Sequence, residues 1–97
     1  MAEQAQEKSP ENVVYVGVKP SMAYVLGVVT QLSNGQKQVF VKARGKSISK
    51  AVDVAEIVKR KFVKDAKVSS INIGTEERQL DTGKKINVST INIELTM

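Results

Sequence analysis

Residues 41–51 read VKARGKSISKA, and they join the end of a predicted strand to the start of a predicted helix. The stretch carries four cationic side chains and no acidic one: Lys42, Arg44, Lys46 and Lys50. A helix start is itself partly positive, because its first N–H groups are unpaired and its macrodipole points that way. Added cations therefore cost stability unless an anion binds there. A phosphate fits such a place, since the unpaired N–H groups are ready donors.

The hydrophobic spacing on both sides of this stretch predicts the order strand, helix, strand, helix, strand, strand. The strands are predicted at 12–17, 38–43, 68–77 and 86–95, and the helices at 20–34 and 47–64. We expect Pro20 at the first helical position of the first helix and Ser47 as the N-cap of the second. Apolar residues recur at helical spacing: Met22, Val25, Leu26, Val29 and Leu32 in the first helix, and Ile48, Ala51, Val52, Ala55, Val58 and Phe62 in the second.

The strands differ in how their apolar residues are arranged. The first is apolar on both faces, which predicts a central place in the sheet. The last two alternate apolar and polar residues (Ile71 and Ile73, then Ile91, Ile93 and Leu95), which predicts a pair covered on one side only. Between them, residues 78–85 read RQLDTGKK and predict a hairpin tip with its turn near Thr82 and Gly83.

Two strand–helix–strand crossovers make the first three strands run in one direction. Their carboxyl ends then lie at one edge of the sheet, which is the usual ligand position in α/β proteins. The loops at that edge carry six cations: Lys19, Arg44, Lys46, Arg78, Lys84 and Lys85. Connectivity alone therefore predicts a basic surface built from distant parts of the chain.

Composition narrows the function classes. Ninety-seven residues suit one domain, which we place at 12–97. Net charge is +5, and residues 37–67 hold ten Lys or Arg against three acids. Such a balance favours a polyanionic partner, although a solvated basic surface is the simpler alternative. Residues 1–11 are polar and acidic, which predicts a disordered tail, and they lack the pattern of a signal peptide, so we expect a cytoplasmic protein with no membrane partner.

The chain offers little for catalysis. It has no Cys and no His, so thiolate chemistry and the commonest general base and metal ligand are missing. The one local group of acids, Glu76, Glu77 and Asp81, is interpreted as ordinary surface rather than a nuclease metal site. We expect no enzyme activity, no metal and no cofactor. The few aromatics, Tyr15, Tyr24 and Phe40 among them, are expected in the core, which argues against stacking platforms for single strands.

These features together resemble the Alba family of archaeal chromatin proteins. Residues 12–20, NVVYVGVKP, are similar to the family's opening strand and its Gly-Lys-Lys-Pro turn, and 22–25, MAYV, to its first helix. Residues 41–46 followed by 48–53, ISKAVD, resemble its most characteristic segment. The ending 88–93, VSTINI, also fits, so the resemblance covers nearly the whole chain after the tail.

The resemblance implies a two-layer α/β sandwich, with two helices on one face of a mixed four-stranded sheet, like the C-terminal domain of bacterial translation initiation factor three. It implies a homodimer that binds double-stranded DNA, and also RNA, with little sequence preference. Such binding would coat and compact the chromosome, with which the protein would then be associated. The alternatives are a mainly RNA-binding, ribonucleoprotein or RNA-chaperone role.

The resemblance also assigns residues. Lys19, Arg44 and Lys46 would be central-loop contacts, with Lys42 and Lys50 as further candidates, and Arg78, Lys84 and Lys85 would be contacts of a hairpin arm. Phe62 resembles a position through which dimers associate side by side. The family turn has two adjacent lysines, one of them an acetylation site. Here Val18 replaces the first, and Lys19 is the remaining candidate for modification.

Overall fold

The computed structural model describes residues 12–97 as an α/β fold with the expected order of elements. Its elements are β1 (Val13–Tyr15), α1 (Ser21–Ser33), β2 (Gln38–Arg44), a 3₁₀ turn (Gly45–Ser47), α2 (Ile48–Ile57), a π-helical turn (Val58–Phe62), β3 (Lys67–Gln79) and β4 (Lys85–Thr96). The predicted disordered tail, residues 1–11, lies outside the described residues. Within 12–97, no helix has the length and apolar character needed to cross a membrane.

The four strands form one mixed sheet in the order β1-β2-β4-β3. β1 is parallel to β2, while β4 is antiparallel to both β2 and β3, so the first three strands run in one direction as predicted. The prediction of a central β1 is wrong, because β1 is an edge strand. Its apolar run suggested burial on both faces, but Tyr15 is 53% exposed on the face that the helices leave open.

The core lies between the sheet and the two helices. Alternate residues of the two central strands are buried, namely Val39, Val41 and Ala43 of β2 and Ile91, Ile93 and Leu95 of β4. The helices contribute Val25, Val28 and Leu32 from α1 and Ala51, Val54 and Ala55 from α2, with Val58 following. This single layer of aliphatic side chains supplies most of the hydrophobic stabilisation.

The buried stripe of each helix differs from the predicted one by a small rotation. Met22 and Leu26 of α1, Val52 of α2 and Phe62 after it are each about half exposed, while Val28 and Val54 are fully buried. Spacing alone admits several overlapping stripes on an apolar helix, and packing against the sheet selects one. These half-exposed side chains leave apolar surface on the outer faces of the helices.

The helix starts also differ from expectation. Pro20 lies just before α1 in an extended conformation (ψ 151°), and its carbonyl accepts a bond from the Ala23 N–H at 3.0 Å. Ser47 has helical backbone angles and makes no side-chain cap, because the 3₁₀ turn already continues into α2. The second helix is therefore not the continuous 47–64 segment predicted, and its last turn widens to π geometry.

The β3–β4 hairpin extends beyond the rest of the sheet. Pairing of β2 with β4 ends at Arg44 and Thr90, whereas β3 and β4 remain paired as far as Gln79 and Lys85. Residues 75–89 therefore form a two-stranded projection, here called the hairpin arm, and residues 12–74 with 90–97 form the body. The tip turns where predicted, with Gly83 at φ 89°, a conformation that glycine adopts without strain.

Candidate nucleic-acid interface

Two basic loops lie side by side at the carboxyl ends of β1 and β2. One comprises residues 17–20 and carries Lys19, and the other comprises residues 44–47 and carries Arg44 and Lys46. Because β1 and β2 are parallel neighbours, both loops leave the sheet at the same edge. Residues 17–20 and 44–47 are here called the loop edge.

The Lys50 side chain connects the two parts of the loop edge. Its ammonium donates to the carbonyl oxygens of Gly17 at 3.0 Å and Lys19 at 2.7 Å. Lys50 lies in the first turn of α2, directly after the 44–47 loop, so these bonds fix that loop relative to the 17–20 loop. Charge-assisted bonds of this kind are stronger than neutral ones. The structure thus gives Lys50 a tethering contact, and its direct contact with nucleic acid stays a prediction.

A second contact holds the 17–20 loop from α1. The backbone N–H of Lys19 donates to the Tyr24 hydroxyl at 3.0 Å. Tyr24 also packs against the core, which confirms its expected place there. The backbone of Lys19 is therefore held on both sides while its side chain is exposed and makes no ion pair or hydrogen bond within 12–97.

The backbone conformation of Gly45 sets the path of the 44–47 loop. Gly45 has φ 54°, in the left-handed region that a side chain would strain. Lys46 follows it on the surface, and its ammonium has no partner among the described residues. Lys46 therefore keeps an unpaired positive charge next to the start of α2, where an anion would complement it.

Arg44 is not a free cation. Its Nε lies 3.1 Å from an Oε1 of Glu76, on β3, and both side chains are about half exposed. Exposed pairs of this kind contribute about 0–1 kcal/mol, so a phosphate can compete for the guanidinium at little cost. Sequence reasoning missed the pair, because Glu76 is far away in sequence and only the strand register brings it near Arg44.

Lys42 lies away from the loop edge, on the face of the sheet that the helices do not cover. It is half buried, and it aligns across the sheet with Tyr15 of β1 and Asn92 of β4. The expectation that Tyr15 belongs to the core is wrong, since its ring is half exposed here. Phe40 is on the same open face and is partly buried.

The same face is braced at its other end by Glu94. Its carboxylate accepts hydrogen bonds from the Gln38 amide and, at 2.9 Å, from the Ser70 hydroxyl. These bonds, that from Gln38 above all, hold the pKa of the Glu94 carboxyl below its usual value. Glu94 therefore links three neighbouring strands through one side chain.

The hairpin arm carries the remaining predicted cations. Arg78 is paired opposite Ile86, and Lys85 opposite Gln79, so the side chains of Arg78 and Lys85 project from opposite faces of the arm. Lys84 lies in the tip. All three are exposed, and their side chains form no ion pair within residues 12–97. The arm thus separates these cations from the loop edge rather than gathering all six at one point.

Other expected positions are exposed as well. Phe62 is 45% exposed at the end of the π-helical turn, and its role in association between dimers stays a prediction. Val18, at the position of the missing lysine, is 97% exposed. No cluster of three metal-ligating side chains occurs in the part of the chain that the structure describes.

The family model described as Alba matches residues 12–75 of the chain. A protein named DNA/RNA-binding protein Alba from Methanocella arvoryzae is 52% identical over 85 residues, which cover 88% of each chain. Its namesake from Methanococcus maripaludis is 54% identical over 86 residues, covering 88% of this chain and 97% of the relative.

A solved structure gives the same result for the fold. Alba from Thermoplasma volcanium superposes with a TM-score of 0.84 at 52% identity, covering 89% of this chain and all of that one. With 89% of this chain covered, the likeness extends over most of the fold.

Proposed function

Because this chain belongs to the Alba family, we propose that it binds double-stranded DNA, and also RNA, through the phosphate backbone with little dependence on sequence. The observation that carries this proposal is the loop edge, where two loops held by Lys50 present Lys19 and Lys46 without protein partners among the described residues. Cations in a fixed arrangement neutralise phosphates and release counterions. The relatives named DNA/RNA-binding protein Alba support the same partner.

The arm extends this surface. Arg78, Lys84 and Lys85 on the arm contact phosphates farther along the nucleic acid, while Lys19, Arg44 and Lys46 contact those at the body. Backbone contacts of this kind position a protein without reading its sequence. Coating of this type compacts chromosomal DNA in the cytoplasm and places the protein on the chromosome. Lys19, exposed at the loop edge, is the proposed site of acetylation.

The proposed assembly is a homodimer formed by one domain, residues 12–97, from each chain. It is supported by the apolar side chains that β3 leaves uncovered, since Ile71 is 57% and Ile73 is 82% exposed. Exposed apolar residues in a contiguous patch mark protein interfaces. The half-exposed Phe62 then serves association between dimers, and no catalytic role is proposed for any residue.

The test is a salt titration of binding to two duplexes of unrelated sequence, read by fluorescence anisotropy. Wild-type log K falls linearly with log salt, with a slope of about −0.9 for each phosphate contact on duplex DNA. The variant Arg44→Gln/Lys46→Gln binds both duplexes more weakly by the same factor, and its slope is shallower by up to about 1.8 for each protomer. Affinity that does not change with salt would refute the proposal.

A matched control removes the same charge from the other end of the sheet. Lys37 precedes β2 and Lys67 is the first residue of β3, and both are exposed opposite the loop edge. The variant Lys37→Gln/Lys67→Gln keeps the wild-type slope. An equal loss in both double variants would show that only net charge matters.

A further inference from the structure

A row of four side chains crosses the open face of the sheet. The strand register aligns Tyr15 with Lys42, Lys42 with Asn92, and Asn92 with Asn72, one residue from each strand. Because neighbouring strands are about 4.8 Å apart, the row spans about 14 Å. It contains one aromatic ring, one cation and two amides, and these are the groups that proteins use to hold a nucleotide.

The face is hollow at this row. A depression of about 620 Å³ is lined by the four residues of the row and by Thr90, Gly74 and the ion pair of Arg44 with Glu76 next to them. Gly74 helps to keep it open, since even a methyl group there would lie 3.3 Å from the Thr90 hydroxyl oxygen. The volume is within the range of small-molecule sites, about 300–1,000 Å³.

Two polar groups in the depression lack protein partners. The Asn92 Oδ1 atom is buried and accepts no hydrogen bond within residues 12–97. Lys42 is half buried, and its ammonium makes no ion pair with any described residue. Buried polar atoms are almost always hydrogen-bonded, so an orphan of this kind calls for a ligand or water. An unpaired ammonium beside it favours an anionic ligand.

We propose that this depression binds one unpaired nucleotide of a nucleic acid strand. The base stacks on Tyr15, the amides of Asn72 and Asn92 hydrogen-bond its edge, and Lys42 contacts its phosphate. This inference rests on the proposed function for its location, because Arg44 and Ser47 line both the depression and the loop edge. A strand whose phosphates follow the loop edge therefore passes the mouth of the depression.

The site distinguishes between forms of nucleic acid. In a duplex the bases are stacked and paired, so their faces are not accessible to Tyr15, whereas the loops and ends of RNA and any single strand expose them. The loop edge and the arm bind phosphates in either form. The depression thus adds affinity for unpaired segments alone.

The experiment compares one labelled sequence as a single strand of about ten nucleotides and as a duplex. Tyr15→Leu, which removes the ring but keeps an apolar side chain, is expected to weaken single-strand binding about five-fold or more and duplex binding less than about two-fold. Tyr15→Phe keeps the ring and retains wild-type affinity for both. A second variant, Lys42→Gln, is expected to weaken binding to the single strand and to make the salt slope of that binding shallower by about 0.7.

A measurement without mutation accompanies these variants. In wild-type protein, the side-chain amide signals of Asn72 and Asn92 shift during an NMR titration with the single strand and stay in place with the duplex. Unfolding curves confirm that each variant folds. The inference would be overturned if Tyr15→Leu lost the same affinity for both probes, or lost no affinity for the single strand.

Failure of the inference is separable from failure of the proposed function. If wild-type binding to the duplex does not depend on salt, the proposed function is refuted, whatever the result for Tyr15→Leu. If duplex binding depends on salt but the Asn72 and Asn92 amide signals do not shift with the single strand, only the nucleotide site is refuted. A change in sedimentation of Tyr15→Leu, with single-strand affinity retained, assigns the face to a second copy of the chain and also overturns the inference.

Discussion

The loop edge and the hairpin arm both present exposed cations, but the structure holds them in different ways. At the loop edge, Lys50 of α2 and Tyr24 of α1 bond to the backbone of residues 17–20, and Arg44 pairs with Glu76 of β3, so the loops contact three other elements. In the arm, the backbone of residues 75–89 pairs only with itself, Glu76 forms an exposed ion pair with Arg44 of the body, and nearly every side chain is exposed. The loop edge is preorganised, whereas the arm is supported mainly by its two-stranded ladder.

This difference indicates that the loop edge and the arm have different roles in binding. A preorganised group of cations binds phosphates without first losing conformational freedom. An isolated two-stranded ribbon is only marginally stable and adjusts easily. We therefore expect the loop edge to set the position of the protein on a duplex and the arm to adapt to the path of the backbone.

The largest expected effect concerns stability. Leu95→Ala removes a fully buried side chain of the body and should lower the free energy of unfolding by about 2–5 kcal/mol. Leu80→Ala, at the half-exposed arm tip, should change it by less than about 0.5 kcal/mol. Urea unfolding of both variants measures the contrast. Comparable losses would show that the arm is part of the cooperative unit.

The second effect concerns the tether. Lys50→Met should weaken duplex binding, but in a Lys19→Gln background it should add little, because Lys50 acts by holding the Lys19 loop. The expected coupling energy is about 0.5–3 kcal/mol, as for residues in one network.

The arm supplies the control for this cycle. Lys84→Gln and Lys50→Met should be additive to within about 0.5 kcal/mol, since the two sites share no contact. Salt-titrated affinities of the single and double variants give both numbers. If Lys50 and Lys19 were additive and each removed one unit of slope, Lys50 would be a phosphate contact in its own right.

A smaller effect concerns the pair between body and arm. Glu76→Gln releases Arg44 and should tighten duplex binding by at most about five-fold, which corresponds to the ~1 kcal/mol upper range of an exposed pair. Glu77→Gln makes the same charge change on the opposite face of the arm and is the matched control. Equal gains in the two variants would indicate a general charge effect.

The smallest expected effect concerns how the free energy of unfolding depends on pH. Since the folded state lowers the pKa of Glu94 from 4.5, its contribution to stability is present above about pH 4.5 and is lost as the pH falls through the folded value. Denaturant unfolding at pH 7 and pH 3 should therefore show a smaller difference in Glu94→Gln than in wild type. An unchanged difference would mean that the bonds from Gln38 and Ser70 do not matter in solution.

The order of the elements followed from local signals. Apolar spacing and the Thr82–Gly83 turn are properties of short segments, and the structure confirms the order of elements and the place of that turn. The common direction of the first three strands followed as well, because crossover connections permit few topologies. The placement of Lys19 and Lys46 at one edge of the sheet followed on the same grounds.

The tertiary structure decided the strand order, the face of the sheet on which each side chain lies, and the distant residues that it contacts. The sequence by itself could not place β1 at an edge, expose Tyr15, or bring Glu76 to Arg44, since each depends on which strands pair and in which register. It proposed Lys50 as a possible ligand contact, and only the folded chain shows its ammonium on the carbonyls of Gly17 and Lys19. Residues 41–51 thus carried the charge from which the candidate interface was inferred. The long-range contacts decided which of those charges are left free to bind, because a cation's availability depends on neighbours that are distant in sequence.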